Sequence, residues 1–169
     1  MSSFIFLIPD QPLTHRQFDL PPEIQDRVKG GIPLFSYEFG MKQQVTTDVS
    51  NMARTSGRPV ISDIACEKEI DETTTLLTDH CLRAKPLGET CRLLIIDLEG
   101  DQVMSSMEYE LKNLIIASYQ ISSIEGQTPR ELLHLNFTDF RQTYSDFSGS
   151  DTKISSSGWS MSRNRPIES

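Results

Sequence analysis

From Glu89 to Leu98 the chain reads ETCRLLIIDL, nearly unbroken in apolar side chains. A strand of this kind is buried on both faces, so it belongs inside a sheet with cover above and below. Around it the pattern turns to period two, which marks half-buried strands. Ile32 to Lys42 (IPLFSYEFGMK) sets Phe35, Tyr37 and Phe39 against Ser36 and Glu38. Leu133, Leu135 and Phe137 alternate with His134 and Asn136. Ser2 to Ile8 reads as a short strand, and Arg58 to Lys68 carries Val60, Ile61 and Ile64 in a third β-pattern.

The turn Glu99-Gly100-Asp101 leads into a long strand, Gln102 to Ser118. Met107, Tyr109 and Leu111 face one way there, and Glu108, Glu110 and Lys112 the other. The run Leu114-Ile115-Ile116 interrupts the alternation and predicts a bulge or a change of face. Lys153 to Ser162 reads as the last strand and holds the single tryptophan, Trp159. One helix stands out over about 71–84. Asp71 is placed to cap it, Leu77, Cys81 and Ala84 recur at helical spacing, and Arg83 and Lys85 suit its last turn before Pro86 and Gly88 stop it. The fold class is mainly β: a single-domain barrel or sandwich of about seven strands with one helix, over residues 1–169.

Composition narrows the function. A net charge of −8, with 16 basic residues scattered against 24 acidic ones, argues against a nucleic-acid partner. The apolar start, Phe4 to Ile8, has no basic flank and stops at Pro9 and Asp10. This predicts neither a signal peptide nor membrane insertion, hence synthesis in the cytoplasm and exit only by a machine that takes the folded protein. Cys66, Cys81 and Cys91 are widely spaced and odd in number, which suits reduced thiols rather than a disulfide frame or zinc site. His15, His80 and His134 have no second ligand or carboxylate at useful spacing, and no nucleophile-elbow, phosphate-loop or zinc-protease motif occurs. No enzyme activity, cofactor or metal is expected. Two loops draw interest instead. Residues 44–57 have no sustained pattern, and connections of about 12–15 residues without structure are usually functional. Residues 121–130 contain Gly126 and Pro129.

Several short motifs, in order, carry a resemblance. FSYEFGM (Phe35 to Met41), LKNLIIASYQ (Leu111 to Gln120), LHLNF (Leu133 to Phe137) and GWSMSRN (Gly158 to Asn164) resemble strands of the haemolysin-coregulated protein family, Hcp, of bacterial type VI secretion. The resemblance spans about residues 32–164, and 165–169 are left as a flexible tail. The sequence departs from the family in the proline-marked 9–31, in the glycine-poor 44–57 and at the helix entry, where Thr73-Thr74-Thr75 stands in place of Ser-Pro.

The resemblance implies a homohexameric ring whose copies stack into an inner tube within a contractile sheath. Its partners would be itself, sheath proteins, a spike protein at the tip and effector proteins in the lumen, and it would be driven out of the bacterial cytoplasm without a signal peptide. It also implies that 44–57 reaches the neighbouring ring, with Asp48, Asn51 and Arg54 as polar contacts and Val45, Val49 and Met52 as an apolar set. Ser122, Ser123, Gly126 and Gln127 would approach the lumen and its cargo, while Tyr37, Phe39, Gly40 and Trp159 are structural. Two other readings of a mostly-β chain are a phage tail tube protein and a small-ligand carrier built on a closed barrel.

Overall fold

A computed structural model describes residues 2–47, 54 and 57–167. Its strands are β1 Ser2–Ile8, β2 Ile32–Leu34, β3 Ser36–Glu38, β4 Met41–Lys42, β5 Val60–Ile61, β6 Ile64–Glu69 and β7 Thr90–Glu99. They continue with β8 Gln102–Lys112, β9 Ile115–Ser122, β10 Arg130–Asn136, β11 Asp139–Asp146, β12 Lys153–Ser160 and β13 Arg165–Pro166. Among the described residues there are two helices, α1 Pro22–Gln25 and α2 Thr74–Leu82. A seven-stranded sheet runs β13-β12-β11-β8-β7-β1-β2, a four-stranded sheet runs β3-β6-β10-β9, and β4-β5 form a small ribbon. The described strand pairs are antiparallel, and no ladder joins the two large sheets into a closed barrel. The sandwich half of the expectation holds and the barrel half does not.

The two-faced burial of β7 organises the molecule. Cys91 and Leu93, with Ile95 beside them, enter the core between the sheets among Leu7, Leu111, Leu133, Leu135 and Phe140. Leu94, Ile96 and Leu98 point the other way, into a second core with Phe6, Ile8, Leu20, Ile24 and Val28. The segment 9–31 is therefore not merely a polar connection. Its leucine, isoleucine and valine, partly presented by α1, cover the back of the sheet. The inter-sheet space is filled by side chains, so the barrel carrier has no interior to offer.

Other expectations are corrected in detail. Ile32 to Lys42 is not one strand but β2, β3 and β4 in three different sheets; Tyr37 and Phe39 pack on the core, whereas Phe35 is exposed with the Arg130 guanidinium 4.6 Å from its ring centre. The long strand 102–118 breaks at Asn113, whose φ of 55° Asn tolerates well, and the chain changes sheets there. β11 was not anticipated: DFRQTYSD is polar apart from Phe140 and Tyr144 because much of its surroundings is open. β12 ends at Ser160 rather than Ser162, and Arg165–Pro166, expected in the tail, pair with Ser160 and Trp159. The helix is shorter than 71–84. Thr73 stands at its N-cap, only Leu77 on it is buried, and Ala84 has turned to a φ of 51°.

One end of the inter-sheet core holds a charge pair. Ile64, Cys66 and Lys68 share the inward parity of β6, as Glu131, Leu133 and Leu135 do on β10. Lys68 and Glu131 are register partners, and Lys68, 0% exposed, donates to Glu131 Oε2 at 2.5 Å, to Asp71 Oδ1 at 3.1 Å and to the Glu69 carbonyl at 2.9 Å. Asp71 also accepts the Thr73 amide and hydroxyl. Burial pushes its carboxyl up, but those Thr73 bonds and the Lys68 ammonium outweigh it, and the carboxyl lies below its ordinary 3.8.

Two outcomes follow from this pair and its neighbour. Lys68→Met alone should cost ~3–5 kcal/mol by leaving Glu131 buried without its partner, and K68M/E131L should recover most of it. Denaturant midpoints decide, since equal and additive losses would mean the two are uncoupled. Because the folded value of Asp71 is depressed, its stabilisation is complete above 3.8 and is lost as pH falls through the folded value. Thermal melts of Asp71→Asn should therefore fall below wild type at neutral pH and converge with it on acidification.

Candidate functional site

With no catalytic constellation in the sequence, the surfaces by which the chain could meet other chains are the candidate site. Their rigid floor is an aromatic cluster. The Phe39 ring lies edge-on to Tyr109, Phe137 and Phe140 at centroid distances of 5.7, 5.8 and 5.1 Å. The Tyr37 and Tyr109 hydroxyls are 3.4 Å apart, and burial first, then Tyr37, raises the Tyr109 phenol. Gly40 exchanges bonds with Ser62, donating to its hydroxyl at 3.0 Å and accepting its amide at 2.9 Å. A Cβ there would meet only Ser62 Oγ, at 4.0 Å, so the position does not require glycine.

Gly158 does require it. A Cβ would lie 2.5 Å from the Phe140 carbonyl oxygen, because β11 and β12 approach closely at this point. Trp159, the next residue, is half-buried against the main core and lines an apolar groove of about 410 Å³ with Met41, Pro59, Ile61 and Phe140. The β4-β5 ribbon forms the opposite wall of that groove.

Among the described residues, two of the outer strands, β9 and β13, lie where another chain could pair, β9 being flanked by α2. β9 is an edge of the four-stranded sheet, with Ile121 49% exposed, and Ile124, 65% exposed, sits just beyond it. Ser122 is the last residue of β9, opposite Arg130; Ser123, Gly126 and Gln127 lie in the exposed turn to β10, where the Gln127 amide donates to the Ile124 carbonyl and Gly126 has a φ of 85°. On the other sheet, β13 pairs with β12 only at Trp159 and Ser160.

The 44–57 segment is described only at its base. Asp48, Val49, Asn51 and Met52 lie outside the described residues. Val45 is exposed, and Arg54 turns back on the loop itself: its carbonyl accepts the Thr46 amide at 2.9 Å and its side chain donates to the Thr46 carbonyl at 3.3 Å. Asn164 ties this base down by donating to the Gly57 carbonyl at 3.3 Å.

Sequence reasoning passed over the buried polar group beside α2. Tyr119 Oη and Glu131 Oε1 are buried with no hydrogen bond, and burial, then the Glu131 carboxylate, pushes Tyr119 upward. The signal was parity, since Lys68 and Glu131 occupy inward positions on their strands. Cys66 is likewise buried, its thiol pushed up to about 12 by burial, which is no environment for a nucleophile. Among the described residues no group of three or more His, Cys, Asp or Glu side chains is placed to hold a metal, and no helix is long and apolar enough to cross a membrane.

Open strand edges, a filled interior and exposed apolar hairpins define a β-sandwich whose features of interest are surfaces for other chains. The profile of the family described as "Type VI secretion system effector, Hcp" matches residues 23–144. The chain belongs to the Hcp family. The whole fold agrees. A structure described as a type six secretion system protein superposes with a TM-score of 0.81 at 17% identity, covering 98% of this chain and 100% of that one. Hcp1 from Salmonella typhimurium gives 0.69 at 18% identity over 99% and 100% of the two chains, and Hcp2 from the same organism 0.61 at 19% over 98% and 99%. Comparison with curated proteins finds no match.

The β11–β12 contact can be tested directly. Gly158→Ala should destabilise by about 1–3 kcal/mol, by forcing the strands apart. Trp159→Ala should cost about 2 kcal/mol, less than the ~3–5 of a fully buried aromatic because part of the ring is exposed. Thermal melts check both, and an unchanged Gly158→Ala would mean the strands are not held that close.

Proposed function

We propose that this chain is a structural subunit of a type VI secretion apparatus. It closes sideways into homohexameric rings, and the rings stack into an inner tube inside the sheath beneath the spike protein. The function is geometric, with no chemical step and no cofactor. The chain leaves the bacterial cytoplasm through the apparatus itself, and effector proteins travel in the lumen. The observation that carries this reading is the outer strand β9, which has no further strand beyond it among the described residues and leaves Ile121 exposed past the helix α2, in a member of the Hcp family. Such an edge is a hazard in a monomer unless a partner covers it, and a heterologous contact repeated around an axis gives a ring. In this reading residues 1–169 act as a single domain. The 44–57 loop reaches the next ring, and Ser122, Ser123, Gly126 and Gln127 lie near the cargo.

Native mass and negative-stain images of the purified protein test the core of the proposal. The expected result is a species six times 19.1 kDa that images as rings. A 19.1 kDa monomer at every concentration, with no rings, overturns it. Replacing 46–54 by a short Gly/Ser linker should leave single rings while tubes are lost; tubes of normal length would remove the loop from stacking. Ser123→Trp should lower effector retention with rings intact, and dissolved rings would place that turn at the subunit seam instead.

A further inference from the structure

The seven-stranded sheet has two chemically different ends. Its ladders put Thr90, Lys112, Asp139 and Ser160 side by side at one end, and Glu99, Gln102, Asp146 and Lys153 at the other. Strands of eight to eleven residues separate these ends by roughly 25–35 Å.

The first end opens into a cleft of about 840 Å³. Lys112, Arg163 and Arg165 face it, against Glu89 and Asp139. Arg163 and Arg165 are exposed and form no ion pair among the described residues, while Lys112 donates to Thr90 Oγ1 at 2.7 Å. The opposite end carries narrow acidic turns. Glu99-Gly100-Asp101 is exposed, with Gly100 at a φ of 61°, and the β11–β12 turn adds Asp146 and Asp151 against Lys153. Hydrogen bonds from the Ser148 hydroxyl and amide hold the Asp146 carboxyl below its ordinary 3.8, so it stays charged.

We propose that the basic cleft is a docking surface for the Glu99-Gly100-Asp101 turn of a second copy of this chain, joining molecules end to end. This rests on the ring-and-tube reading for its biological setting and deepens it by naming the faces that meet. Charge complementarity within one sequence favours the occupant. A chain of net charge −8 repels its own copies except where cations gather, and this cleft gathers three at the end opposite the acidic turns. A small anion is a poorer fit, because the cleft is wide and its arginines are exposed rather than aimed from buried positions. Head joined to tail does not close on itself, so the contact propagates as a stack. Asn164, between Arg163 and Arg165, donates to the Gly57 carbonyl at 3.3 Å, which ties the cleft's basic segment to Gly57.

Sedimentation velocity and negative-stain images of the full chain test this, at low and high salt. Wild type should associate end to end, at least tenfold more tightly in low salt than in high. R163E/R165E and E99R/D101R should each weaken end-to-end association at least tenfold, with circular dichroism unchanged. An equimolar mixture of the two variants should restore association, because the reversed cleft of one now accepts the reversed turn of the other. Rings whose stacking ignores both variants and salt would overturn the cleft assignment and leave the ring reading standing. End-to-end pairs that respond to the charges, with no rings, would do the reverse. A cleft that binds an acidic peptide or polyphosphate while the mixture fails to associate overturns the second-copy occupant.

Discussion

Everything in this molecule depends on one strand being apolar on both faces. β7 cannot lie on a surface, because Leu93 and Leu94 point in opposite directions and both are fully buried. The second sheet must therefore close over one face and the 9–31 segment over the other. With β7 fixed in the middle, β1 and β8 flank it in register, and the remaining strands are added outward until the apolar pattern fades. Among the described residues no further strand pairs with the outermost ones, and α2 packs against β9.

That constraint explains what could be read in advance and what could not. The period-two faces of β8 and β10 were legible because Tyr109, Leu111, Leu133 and Leu135 all face one core. β11 was not, since only Phe140 on it is buried and its own residues are mostly polar, although it pairs with Leu111, Tyr109 and Met107 of β8. The single alternating run from Ile32 to Lys42 hid two changes of sheet, because alternation reports which way side chains point and not which strand the backbone pairs with. The 9–31 segment read as a connection because its prolines stand out, although Leu20, Ile24 and Val28 recur at a four-residue helical spacing. The motifs that signalled the family are mostly core-facing: Phe39, Ile116, Leu133, Phe137 and Trp159 all pack on the main cluster. The surface residues that set particular contacts are the part such motifs do not encode.

Assembly and fold also draw on separate parts of the chain. The core uses inward positions of long strands, while the candidate contact surfaces use turns, edges and the short β4-β5 ribbon. Substitution at Arg163, Glu99 or Ser123 therefore leaves the cores untouched, and substitution at Gly158 or Lys68 does not. Surface contacts can therefore vary without risk to the domain that carries them.

The buried Lys68–Glu131 pair has a meaning for strand register as well. The four-stranded sheet is built from short strands, any of which could pair one position out of step while it forms. A slip of β6 against β10 by one residue would turn Lys68 outward and set Glu131 opposite Glu67 or Glu69 instead of the ammonium. A slip by two would set Glu131 against Cys66 or Ile70 and Lys68 against Leu133 or Pro129. Neither mispaired sheet could be dried out, because an unmatched ion in the interior costs several kcal/mol. The pair thus favours a single alignment, because only the matched register lets both charges be buried together.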